Sequence, residues 1–169
     1  HMRTLDEIII WGRDADKAEA LSRRIAETLD IPTRSAASAQ EAPDSPHIIC
    51  TTPPAAEPIL QSDHVANGVH INVVGSSYAG PSEIAVDLVA RARFFPDHRE
   101  GVLAQGAEFL RAKAAGLVDD DHVLPEIGAV FADDAAGRLS ASDVTLYKSL
   151  GSIVQDLACA VWLGRDRAA

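Results

Sequence analysis

The chain has 169 residues, 47% of them hydrophobic and 24% charged, and its formal net charge is -10. That is enough chain for one domain with a real core, and the acidic balance offers no basic excess to neutralise a nucleic-acid backbone. No apolar run is long enough to span a bilayer, so neither nucleic acid nor a membrane is expected as a partner.

The two cysteines, Cys50 and Cys159, fall in apolar contexts and read as buried free thiols of a reducing cytoplasm. The six histidines are scattered, and their spacing suggests no metal site. "EIIIWGRD" (7–14) is an apolar run closed by Gly-Arg-Asp and reads as a buried strand. "ADKAEALSRRIAETLD" (15–30) places Ala18, Leu21, Ile25 and Leu29 on one helical face. "PTRSAAS" is a short strand candidate, and "AQEAPDSP" a turn or broken helix. "HIICTT" (47–52), "VHINVVGS" (69–76) and "ARFFPD" (92–97) read as three further strands. Strands alternating with helices at this spacing argue for an α/β fold with a parallel sheet and helical crossovers.

Beyond Asp97 the pattern turns helical. "REGVLAQGAEFLRAKAAG" (99–116) reads as a helix with Gly116 at its C-terminal cap, and "PEIGAVFAD" as a short one. "SASDVTLYKSLGSIVQDLACAVWLG" opens on Ser and Asp as cap candidates. Tyr147, Leu150, Val154, Leu157 and Val161 then recur at threes and fours, which predicts a long final helix with a packed seam. Glu108, Glu126 and Asp156 sit on helices, where capping or salt bridging explains a carboxylate better than catalysis does.

Two strand ends carry chemistry. In open α/β sheets ligands sit at the carboxyl ends of strands, and "HINVVGSSYAGPSEI" (70–84) ends a strand in Gly75-Ser76-Ser77. Such an end either admits a ligand to the backbone and offers it hydroxyls, or is a tight turn with a helix cap. The other end is Trp11-Gly12-Arg13-Asp14. In a dinucleotide-binding fold an acidic residue at this turn bonds the adenosine ribose, whereas an arginine accommodates the 2′-phosphate of NADP. Arg13, with Lys17 one helical turn on, leans towards NADP(H). The plain alternative is an exposed arginine paired with Asp14 or Asp16.

The stretches "IIIWGRDADKAEAL", "IICTTPPAAEPIL", "GVHINVVGSSYAGPSEI", "AQGAEFLRAKAAGLVDDDHV", "PEIGAV" and "DVTLYKSLGSIVQDLA" run in the order of the carboxyl half of the ornithine cyclodeaminase/mu-crystallin family, which the chain resembles over nearly its whole length. "TLYKSLG" followed by "QDLA" is the most specific part. The resemblance implies a Rossmann-like parallel sheet with helices on both faces, binding of NAD(H) or NADP(H), and action on cyclic imines or amino acids. It implies that Thr52 lies beside the cofactor, that Val74, Gly75 and Ser76 line its nicotinamide side, that Ser149 reaches it from the start of the last long helix, and that Arg13 holds the 2′-phosphate. NADP is therefore expected ahead of NAD.

The chain departs from the family pattern at two places. True cyclodeaminases resemble Gly-Gly-Asp-x-Pro-Gly-Lys after this strand, with the Asp shuttling a proton; here Ser77 and Pro81 stand at the Asp and Lys positions. A serine is a poor general base without an activator, and mu-crystallin-like imine reductases also carry Ser there. The expected reaction is thus NADPH-dependent reduction of a small cyclic imine such as pyrroline-2-carboxylate, with conversion of ornithine to proline as the alternative and no catalytic side chain assigned. The second departure is at the amino end. The family's first strand, its Gly-rich turn and its substrate domain precede the matching region. The expected organisation is a partial Rossmann-type domain over 3–140 and a C-terminal helix over 141–169 returning towards a substrate domain. A carboxyl-terminal fragment or truncated paralogue forming a homodimer is expected. A non-catalytic nucleotide-binding or oligomerising module is the competing reading, and a response-regulator-like signalling domain is disfavoured for want of clustered acids at strand ends.

Overall fold

The computed structural model describes residues 4–39, 41, 46–53 and 55–165. The chain divides into two compact units, His1–Pro46 and His47–Ala169. In the first, β1 (Ile8–Ile10) and β2 (Thr33–Ser35) form a two-stranded parallel sheet joined by α1 (Ala15–Leu29). Asp14 starts α1 by accepting from the Lys17 N–H at 3.1 Å, and Asp30 ends it in the left-handed region at φ 54°, which short polar residues tolerate. Of the expected apolar face only Ala18 is buried; Leu21 and Leu29 are exposed. Two three-residue strands offer too little surface to cover a helix of four turns. Most of "AQEAPDSP" lies outside the described residues.

The second unit is built on β3 (Ile48–Thr51), β4 (His70–Val73), β5 (Arg93–Pro96) and β6 (Thr145–Lys148), parallel throughout and ordered β3-β4-β6-β5. β1 pairs with β2, and β3 with β4. The helices are α2 (Val86–Arg91), α3 (Arg99–Gln105), α4 (Ala107–Ala114), α5 (Ile127–Phe131) and α6 (Ile153–Arg165). The helix expected over 99–116 is broken at Gly106, whose backbone is extended. Gly116 follows α4 at φ 73°.

Ile71, Val73, Phe94 and Leu146 from the sheet pack with Leu88, Val89, Val102 and Phe109 from the helices, all fully buried. Each such side chain contributes about 1.5–3 kcal/mol by leaving water. Phe94 and Phe109 meet at a centroid distance of 6.4 Å with rings tilted by 56°, a favoured aromatic geometry. Pro96, which cannot donate to a ladder, is the last residue of the edge strand β5, where its missing N–H does least harm.

Three expectations are corrected here. The long helix beginning at Ser140 does not form: Thr145–Lys148 is a strand pairing on both sides, a turn through Gly151 at φ 85° follows, and the helix begins only at Ile153. Tyr147 and the α6 residues share a spacing but not an element. The packed seam is also absent, because Val154, Leu157 and Val161 are exposed. Nor are the cysteines buried: Cys50 lies on β3 and Cys159 on α6, and both are exposed. No helix among the described residues is long and apolar enough to cross a membrane.

Candidate functional site

The last residues of the four strands form one row across the sheet: Thr51 opposite Val73, Val73 opposite Lys148, and Lys148 opposite Pro96. The ladder runs one residue further. The Val74 N–H donates to the Thr51 carbonyl at 3.0 Å, the Ser149 N–H to the Val73 carbonyl at 3.0 Å, and the Asp97 N–H to the Lys148 carbonyl at 2.9 Å. Thr52, Val74, Ser149 and Asp97 therefore leave the sheet from a single edge, the carboxyl end where parallel sheets hold ligands. Of the expected site residues, Thr52, Val74, Gly75, Ser76 and Ser149 are brought together. Arg13 belongs to the first unit.

Their exposures differ. Thr52 and Val74 are exposed, Val74 by 45%, on the face it shares with the half-buried His70 and Asn72. Ser149 is buried, and it lies in the loop after β6 rather than at a helix start. Its hydroxyl donates to Asp97 Oδ2 at 3.2 Å. The same oxygen accepts from the Leu150 N–H at 2.7 Å and the Gly151 N–H at 2.9 Å, while Oδ1 accepts from the His98 N–H at 2.8 Å. One carboxylate thus holds the whole 149–151 turn.

Gly75 has a different reason from the one its sequence suggests. A Cβ there would stand 2.4 Å from the Pro53 carbonyl oxygen and 2.8 Å from Glu83 Oε2. The missing side chain makes room for the protein's own backbone at the end of β3. The serine beside it does not offer its hydroxyl to a ligand, because Ser76 is buried. Its Oγ donates to Glu108 Oε1 at 2.8 Å and accepts from Lys148 Nζ at 2.9 Å. Its carbonyl accepts from Lys148 Nζ at 2.6 Å, and its N–H donates to Glu83 Oε1 at 2.8 Å. Ser77, the next residue, is exposed.

Beneath the strand ends, then, lies a charged cluster that is wholly inaccessible: Lys148, Glu83 and Glu108 are each 0% exposed. Lys148 Nζ is 3.0 Å from Glu108 Oε2 and 3.9 Å from Glu83 Oε1. Glu108 Oε1 also accepts from the Glu83 N–H at 3.1 Å. Burial pushes the Glu83 carboxyl above the usual carboxylate range. The Thr51 hydroxyl, the Lys148 ammonium and the Ser76 N–H pull the other way, and the negative charge of Glu108 adds to the rise. Sequence reasoning found Glu108 in its structural role but missed Glu83 and Lys148. The available signal was a charge set against each of two largely apolar runs, Lys148 closing "VTLYK" and Glu83 near the start of "SEIAVDLVA".

At the other turn, Asp14 pairs with Lys17 at 3.1 Å. Among the described residues no carboxylate pairs with Arg13, which is exposed. The plain alternative for this arginine, a pair with Asp14 or Asp16, is not what the structure has.

The chain matches the ornithine cyclodeaminase/mu-crystallin family model over residues 1–169. It belongs to that family. Among family relatives it is 31% identical to a delta(1)-pyrroline-2-carboxylate reductase of Bacillus cereus, over 96% of this chain and 50% of the relative. It is 32% identical to the ketimine reductase mu-crystallin of Mus musculus, over 91% and 45%. Among solved structures, the iminosuccinate reductase of Paracoccus denitrificans in complex with NAD+ superposes with a TM-score of 0.84 at 31% identity, covering 96% of this chain and 50% of that one. The delta(1)-pyrroline-2-carboxylate reductase of Thermococcus litoralis, in complex with NADH and L-proline, gives 0.82 at 25% identity, covering 86% and 45%. The fold of this family member is accordingly the Rossmann-like one of these dinucleotide-binding neighbours, and the chain spans about half the length of the relatives it matches.

Proposed function

We propose that this chain is the dinucleotide-binding half of a reductase of small cyclic imines, of the pyrroline-2-carboxylate or ketimine-acid class, and that it uses NADPH ahead of NADH. The observation that carries the reading is the single row of strand ends with Thr52 and Val74 exposed along it, on a fold whose neighbours were solved with NADH or NAD+. When bound, the nicotinamide would supply the hydride. The chain's own residues would bind and orient: Thr52 beside the cofactor, Val74 and the Gly75–Ser76 backbone against its nicotinamide side, and the Ser149 turn held by Asp97. Arg13, exposed and with no carboxylate partner among the described residues, suits a 2′-phosphate as a bidentate cation.

The residue at the family's Asp position favours reduction over cyclodeamination. Position 77 is serine, and the two glutamates nearest the strand end, Glu83 and Glu108, are sealed from any substrate. Homodimerisation belongs to the same proposal. Its support is α6, on which Ile153, Val154, Leu157, Val161, Trp162 and Leu163 are all exposed, an apolar face that calls for cover.

The test is titration with NADPH and, separately, NADH, followed by tryptophan fluorescence, since Trp11 immediately precedes Gly12 and Arg13. Saturable NADPH quenching, weaker with NADH and lost in Arg13→Ala, is expected. No quenching by either dinucleotide in a folded chain would overturn the reading.

A further inference from the structure

We propose that Lys148, Glu83 and Glu108 are positioning residues of the dinucleotide site, acting by holding every polar group of Ser76 and thereby fixing the turn at Gly75. This role rests on the function proposed above and names how that site keeps its shape.

Ser76 has three polar groups, and each is bound by a charged side chain from a different part of the fold. The N–H goes to Glu83, from the loop before α2. The carbonyl goes to Lys148, the last residue of β6. The hydroxyl goes to Glu108 on α4 and to Lys148. Three anchors on one residue over-determine its position. Hydrogen bonds to charged groups are shorter and stronger than neutral ones, and all of these are shielded from water by full burial.

The anchoring passes outward through Gly75. With a built Cβ only 2.4 Å from the Pro53 oxygen, the Gly75 backbone lies tightly against the end of β3. A turn clamped on one side by Ser76 and pressed on the other against Thr52–Pro53 has little freedom. The residue it presents is Val74, the exposed member of the row. A hydrophobic core alone would bury this corner more cheaply, because isolated buried ions carry a desolvation cost that packed apolar side chains do not. Ions that converge on a single peptide unit at the ligand edge are placed for geometry.

The experiment uses two variants of the chain. Lys148→Met removes the ammonium and leaves two carboxylates facing one another. Lys148→Met combined with Glu108→Gln removes one charge of each sign and keeps the net charge of the cluster. Thermal melts report folding, hydrogen–deuterium exchange reports the 75–77 peptide, and NADPH titration reports binding. The expected result is a melting temperature that falls in the single variant and largely recovers in the double. In the folded double variant, exchange across 75–77 rises at least ten-fold and NADPH binds at least ten-fold more weakly. A folded double variant with unchanged exchange and unchanged NADPH affinity would overturn the positioning role and leave the dinucleotide reading standing. An unsubstituted chain that binds no NADPH would overturn both together.

Discussion

The Lys148 cluster and α6 invert the ordinary rule of protein interiors in opposite senses. One puts three ionisable side chains where no water reaches; the other puts six large apolar side chains into solvent. The difference lies in completeness. Lys148 meets both glutamates within the second unit, so the opposite charges of the cluster are brought together inside this chain, with Glu83 Oε2 left without a hydrogen-bond partner among the described residues. The apolar side chains of α6 find no cover among the described residues, and the homodimer proposed above is what would supply it. A buried charge that meets its counter-charge marks a place where geometry is fixed. An exposed hydrophobe in a row marks a surface that something else completes.

The sharpest way to break this contrast is Lys148→Met. It strands two carboxylates in the core, and breaking a buried pair on one side costs about 3–5 kcal/mol. For a chain of this length that is a fall in melting temperature of roughly 6–20 °C, read by calorimetry. Next is Gly75→Ala, whose Cβ must displace the Pro53 carbonyl. Overpacking of this kind costs about 1–3 kcal/mol, visible as a lower denaturant midpoint without a change in slope.

Smaller still is the effect of Glu83→Gln, and its sign depends on pH. The Glu83 pKa is raised in the folded chain above 4.5, chiefly by burial. Its contribution is therefore fully present below that value and is lost as pH rises through the folded pKa. The glutamine variant should show a flatter stability profile above pH 4.5, and a profile as steep as that of the unsubstituted chain would count against the assignment.

His70 slopes the other way. Burial, with the Arg138 charge, holds its pKa below 6.5, and its ring stays within 2.8 Å of the Thr145 hydroxyl. Stability from a neutral His70 is present above pH 6.5 and is lost as pH falls, so His70→Asn should be less sensitive to acid. Last comes Leu157→Ser on α6. Surface changes in a chain without a partner stay within about 0.5 kcal/mol, so a melt should not move, whereas light scattering should show less of any dimer.

Much of this was legible in the residues because local pattern suffices for it. β3, β4 and β5 announce themselves as short apolar runs closed by proline, glycine or aspartate, and the strand-end row follows once they are taken as parallel. β6 was hidden. Its Tyr147 continues a three-and-four spacing into α6, and only the β-forming run Val144–Tyr147 and the glycine at 151 separate strand from helix. The buried cluster was hidden for a deeper reason. Ser76 lies 32 residues from Glu108 and 72 from Lys148, and no local period encodes a meeting at that range. Gly75 was read as leaving space for a ligand, whereas the space is taken by the neighbouring strand's carbonyl; the one-dimensional pattern cannot say whose atoms fill a gap.

The placement of the two thiols gives the unfinished surfaces their own chemical labels. Cys50 stands on β3, its sulfur accepting from Asn72 Nδ2 of β4 at 3.5 Å, and Cys159 on α6, both accessible. An alkylating reagent followed by peptide mass mapping would report on sheet edge and helix separately, from a single sample and without any engineered residue. Protection of Cys159 alone would mark the helix as the covered surface, and protection of Cys50 would mark cover over the sheet face it shares with Asn72.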